Sequence, residues 1–140
     1  MTRHEHWAAP LIGLPYCRGA TGPQAFDCWG LVRHVFASRY GIAMPHVQVG
    51  QIGDESVDNV VAIKRAAVVS GWSPVSDRSA HDGDIVLMDG PEGRHVGVMI
   101  EGDYDLRLLH SVEGVGVCAQ PLAEVERWGY RSFNFWRRAA

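Results

Sequence analysis

The stretch Phe26-Asp27-Cys28-Trp29-Gly30-Leu31-Val32 decides the reading of this chain, because it sets a cysteine in the first turn of an amphipathic helix. Leu31, Val32, Val35, Phe36 and Tyr40 recur at helical spacing, Asp27 ahead of them is a good N-cap, and Gly41 is the expected stop. Cys28 therefore stands at the positive end of the helix dipole. A helix N-terminus is worth about 2 kcal/mol at best to an anion. One pKa unit is about 1.36 kcal/mol, so the dipole alone lowers a thiol pKa of about 8.5 by at most ~1.5. An imidazolium about 4 Å away adds on the order of 4 kcal/mol at an effective dielectric near 20. A nucleophilic Cys28 thus demands a histidine, and the chain has seven.

The bulk numbers narrow the field. The 140 residues fit one domain spanning 1–140, long enough to bury a core without staples. Charged residues make up 21% and the net charge is -3, which lacks the basic footprint of a nucleic-acid binder, so no nucleic acid is expected as a partner. The start, Met-Thr-Arg-His-Glu-His-Trp, has no apolar run of signal-peptide length, and no stretch approaches membrane-span length. Synthesis in the cytoplasm without an export address, and no membrane partner, are the expectations. Cys17, Cys28 and Cys118 are an odd count without metal-type pair spacing, which argues for at least one free thiol over a disulfide framework.

Along the chain, Gly13-Leu14-Pro15-Tyr16 and Gly19-Ala20-Thr21-Gly22-Pro23 read as a loop that delivers the chain to the helix. A second helical stretch is expected near 57–69, ended by Gly71. From Trp72 onward short apolar runs bounded by turn residues predict strands at 84–89, 96–101, 106–112, 115–119 and 130–137. Phe133, Phe135 and Trp136 read as the inner face and edge of a last strand. Helices first and strands afterwards predict an α+β fold with an antiparallel sheet.

Two histidines come together through the turn at Gly102-Asp103. If Glu101 pairs with Tyr104 across a two-residue loop, each cross-strand pair sums to 205 and His95 faces His110. A four-residue loop pairs His110 with Gly97 instead and still leaves both histidines on one face, whereas an odd slip separates them. Val96, Val98 and Ile100 point one way, His95, Gly97 and Met99 the other, and Gly97 leaves room for another group to approach. A Cys-His-His set then has Cys28 as nucleophile, His95 as base and His110 orienting the imidazole.

Pro15-Tyr16, the Gly-rich approach, the stretch 26–32, Gly83-Asp84-Ile85-Val86, His95-Val96-Gly97-Val98 and Leu109-His110 resemble, in that order and spacing, the NlpC-type cell-wall cysteine peptidases, a papain-like family. The resemblance covers about 100 of the 140 residues. It implies N-terminal helices packed on an antiparallel sheet of about five to six strands, a thiolate-imidazolium pair between Cys28 and His95, and His110 in the third polar position. It further implies Tyr16 lying against the active site, the Cys28 backbone N–H helping to form an oxyanion hole, and no cofactor. Family members cut peptide bonds in peptidoglycan stem peptides, often between D-glutamate and a diamino acid, through an acyl-enzyme.

One position departs from the family pattern. Where the family usually has Ser after the catalytic Cys, lining a substrate subsite with the preceding Asp, this chain has Trp29 behind Asp27. The Asp-Cys-Trp-Gly form resembles the branch among phage and prophage tail proteins, which implies delivery to the wall by the virion tail and tail-tip proteins as partners. Three other readings remain open. One is a catalytically silent structural or assembly protein of a tail tip, and another is an amidase or acyltransferase on the same Cys-His site. The third is a zinc site drawn from His4, His6 and either Cys17 or His46, whose spacing no motif supports, so no metal is expected. His34, His46 and His81 read as surface positions, His4 and His6 as solvated.

Overall fold

The computed structural model describes residues 6–44, 71–75, 80–91 and 93–138. The helix expected near 57–69 lies outside the described residues, as do His4 and His46. Helix α1 runs Cys28–Val35, and its chain continues through a wider π turn, Phe36–Tyr40, before Gly41 stops it in the left-handed conformation at φ 70°. Asp27 is the N-cap, with its carboxylate accepting from the Gly30 N–H. Six strands follow among the described residues: β1 Trp72–Val75, β2 Ile85–Gly90, β3 Gly93–Glu101, β4 Leu106–Val112, β5 Gly116–Gln120 and β6 Arg131–Arg138. A short helix α2, Leu122–Arg127, joins β5 to β6.

The strands form one antiparallel sheet in the order β1-β6-β2-β3-β4-β5. The last strand is therefore interior, and the outer place beyond it is taken by β1. Pro74 in β1 has no N–H to give to a ladder, so an edge is where such a strand can sit. The edge strand at the other end, β5, is covered by the N-terminal loop, where Gly13 donates to the Val117 carbonyl and Val117 to that of Leu14.

Both faces of the sheet are buried. On one face Val96, Val98, Ile100 and Leu109 pack with Leu31, Val32 and Val35 of α1. On the other Met99, Leu108 and Val86 pack with Val125 of α2 and Tyr130. The apolar run Ile85-Val86-Leu87-Met88 serves both layers, which is why it reads as continuous rather than alternating. Asp84, wholly buried at the entry to β2, accepts from Arg137 Nε and Nη2, each at 2.9 Å, and from the His81 N–H. This bidentate pair clamps β2 to β6.

The β3–β4 register is Glu101↔Leu106 to Val98↔Leu109, so paired numbers sum to 207 across a four-residue loop. The two-residue turn is thus corrected. Gly102 N–H bonds the Asp105 carbonyl at 2.6 Å, and the Asp105 carboxylate accepts from Arg107 Nε at 2.9 Å, which draws Asp105 into the loop. Continuing the register sets Gly97 opposite His110, and both histidines keep the face that either turn provides.

Candidate active site

Three segments converge on Cys28. The loop before it is threaded by backbone bonds from Phe26 to the Pro15 carbonyl and from Asp27 to that of Ala20. Ala20 crosses so close to the helix that a Cβ on Gly30 would overlap its carbonyl oxygen, so only glycine serves at position 30. Ser111, buried on β4, donates to the Phe26 carbonyl at 2.8 Å and ties the Cys28 segment to the strand that carries His110. The β3–β4 ladder ends at Val98↔Leu109, and the stretch of β3 beyond it presents the Val96 backbone N–H to the Cys28 sulfur. Cys28 thus stands on a helix N-terminus against the backbone of β3 at Val96, the residue that follows His95.

Cys28 is 8% exposed. Burial, and after it the Asp27 carboxylate, push its thiol up to about 12, against the backbone N–H groups of Val96, Trp29 and Cys28 itself. Burial, and then His110, lower His95 to about 3. Burial is the first cause of both shifts and disfavours the charged form of each group.

The histidines are linked in series. His95 Nε2 and His110 Nδ1 are 2.9 Å apart, and His110 Nε2 is 2.8 Å from Gln120 Oε1. An amide oxygen only accepts, so His110 carries its proton on Nε2 and offers a bare Nδ1. His95 Nε2–H donates to it, which leaves His95 Nδ1 with a lone pair, the form a general base requires. Burial lowers the pKa of His110, and the Gln120 bond raises it. The Tyr130 ring, 4.8 Å from His95 and 5.9 Å from His110 by centroids, walls the pair on the side away from α1.

Of the expected substrate-binding residues, Tyr16 is half-buried, with its hydroxyl raised to about 12 by burial and then by the nearby Cys28 and Asp27. Asp27 is wholly buried and its two oxygens accept from the Gly30 and Gly19 N–H groups, so it caps the helix and holds the loop. Trp29 is 1% exposed inside the core. It shares that core with Leu31, Val32 and Val35. His6 is partly exposed, with its Nε2 2.6 Å from the Glu101 carbonyl and its Nδ1 accepting from Ala8 N–H, which ties the N-terminal segment to the end of β3. Cys17 is an exposed loop thiol and Cys118 a half-buried strand residue. Among the described residues no group of three or more His, Cys, Asp or Glu is placed to hold a metal ion.

Gln120 and Tyr130 escaped the sequence reading. No local pattern marks them, because each meets the histidines only after β5 and the α2–β6 corner have been laid beside β4 and β3.

Several known proteins are similar to this chain. A probable endopeptidase of Mycobacterium bovis and one of Mycobacterium tuberculosis are each 30% identical over 115 residues, covering 82% of this chain and 24% of theirs. The chain thus spans about a quarter of the length of these relatives. The crystal structure of the NlpC/p60 domain of the peptidoglycan hydrolase SagA matches with a TM-score of 0.58 at 24% identity, covering 91% of this chain and 90% of that one. The likeness fixes the α+β papain-like fold. The profile of the NlpC/P60 family matches residues 13–137, from the loop before Cys28 to the Arg137 that clamps the last strand, and on that extent the chain belongs to the NlpC/P60 family.

Proposed function

We propose that the chain is a cysteine endopeptidase that hydrolyses peptide bonds in peptidoglycan stem peptides, at the D-glutamyl–diamino acid bond. The observation that carries this reading is the hydrogen-bonded series Gln120, His110, His95, whose last member precedes Val96, the residue whose backbone N–H meets the Cys28 sulfur at the start of α1. Family membership and relatives named as endopeptidases support it. As Cys28 Sγ attacks the scissile carbonyl, its proton passes to His95 Nδ1, so no free thiolate need exist at rest. The Cys28 backbone N–H faces the developing oxyanion. His95 then protonates the leaving amine, and the acyl-enzyme is cleared by a water whose proton His95 accepts. His110 keeps the His95 ring oriented, and Tyr16 borders the substrate. The Asp-Cys-Trp-Gly form supports placement in a phage or prophage tail, with tail-tip proteins as partners.

The test is incubation of the reduced protein with muropeptides of several stem compositions beside Cys28→Ala, with products read by mass spectrometry. Cleavage by wild type alone names the bond. Activity that survives in Cys28→Ala ends the thiol mechanism, a cut at an amide outside the stem favours the amidase reading, and an inert wild type favours an assembly role.

A further inference from the structure

We propose that Gln120 is a positioning residue that sets which nitrogen of each histidine carries the proton, and so whether His95 can act as a base at all. The inference rests on the reading of Cys28 and His95 as nucleophile and base. Gln120 closes β5, 5% exposed, opposite Leu108 on β4. Its amide could face His110 with oxygen or with nitrogen, and the two choices give opposite chemistry. With oxygen inward, His110 is protonated on Nε2, His95 on Nε2, and His95 Nδ1 is bare. With nitrogen inward, Gln120 donates to His110 Nε2. His110 then carries its proton on Nδ1 and gives that hydrogen bond to His95 Nε2, which forces the His95 proton onto Nδ1. A base so protonated cannot take the Cys28 proton.

Two neighbours select the first state. Glu124 Oε1, four residues on in α2, lies 3.5 Å from Gln120 Nε2 and can only accept. The Cys118 thiol, across from His110 in the β4–β5 register, lies 3.6 Å from Gln120 Oε1 and donates to it. Donors thus meet the oxygen and an acceptor meets the nitrogen, which fixes the flip. The consequence travels two residues, from amide to His110 to His95, without Gln120 touching substrate.

The test uses long-range nitrogen–proton NMR correlations of histidine-labelled protein at about pH 7.5. Wild type should show both His95 and His110 protonated on Nε2. Gln120→Leu should show His110 as a tautomer mixture, with kcat down roughly ten- to a hundredfold, as expected for partial loss of a general base. KM should stay within about twofold, since no binding contact is removed. Gln120→Glu, which keeps an acceptor in place, should restore the Nε2–H form and most of the lost turnover. A wild-type spectrum with Nδ1–H on either ring overturns the proposal, and so does a Gln120→Leu protein with unchanged tautomers and kcat. If Gln120→Leu fails to fold, the wild-type spectrum still decides. A wild type that cuts no muropeptide sinks the hydrolase reading and leaves the tautomers measurable.

Discussion

Alanine at Gly97 tests whether the approach of β4 to β3 sets the histidine geometry. A Cβ there would lie 2.8 Å from Leu108 Cδ1, 2.9 Å from the Leu109 carbonyl oxygen and 3.1 Å from His110 Cβ. The leucine methyl can turn aside, but the other two atoms belong to the body of β4. Gly97 has no positive φ, so the effect of the substitution is steric rather than conformational. Ordinary contact begins at 3.4 Å, so β4 must retreat by 0.3 to 0.5 Å. Overpacking of this kind costs about 1–3 kcal/mol, a fall of roughly 3–12 °C in the thermal midpoint for a chain of this length. The same retreat stretches the 2.9 Å bond between His95 and His110 to the weak end of hydrogen-bond range. Since a 1 Å misplacement costs about a hundredfold, half of that predicts a kcat lower by roughly tenfold. The assay is stem-peptide hydrolysis with thermal unfolding on the same preparation. A Gly97→Ala protein with wild-type midpoint and kcat would show that the strands have slack and that the argument is wrong.

Other perturbations probe the charge balance and the core. Alkylation of Cys28 by iodoacetamide, mapped by peptide mass with the exposed Cys17 as internal reference, should rise continuously past pH 9, because the thiol is held at about 12. A rate plateau across neutral pH would show a resting thiolate and refute the upward shift. His95 is lowered from 6.5 to about 3, so between those values the unfolded chain binds a proton that the folded one does not. Stability from this group is complete above about pH 6.5 and is lost as pH falls. Cys28 is raised from 9.0 to about 12, so stability also declines as pH climbs above 9. The thermal midpoint should therefore plateau between these limits, with a shallower acid limb in His95→Asn, and an unaltered limb counts against the shift. Asp84→Ala removes the carboxylate that Arg137 grips and should cost about 3–5 kcal/mol by urea unfolding, with loss of under 1 kcal/mol refuting the clamp. Trp29→Ser should cost about 3–5 kcal/mol through the cavity it leaves, and a stable variant with an altered cleavage profile would show that Trp29 acts on substrate choice rather than on the core.

Much of the site was legible from local chemistry. Asp27 as cap, Cys28 at the first turn and Gly41 as stop follow from helix rules that act within a few residues, and the strand runs from 84 onward follow from burial on a pleated sheet. That His95 and His110 share a face was equally determined, because alternation has period two and survives a slip of two residues. The same invariance hid the register itself: loops of two and four residues bury the same side chains, and only Asp105 bonding back to Gly102 and Arg107 separates them. Side chains whose partners lie far away in sequence were beyond local rules. Gln120 and Tyr130 gain their meaning from strands that meet β3 and β4 in the folded sheet, and β1 has an edge to occupy only because β6 lies inside. Nor does helix position alone set the ionisation of Cys28. A dipole belongs to the helix and can be read from a few consecutive residues, whereas desolvation depends on everything packed around the sulfur, and at Cys28 the packing outweighs the dipole.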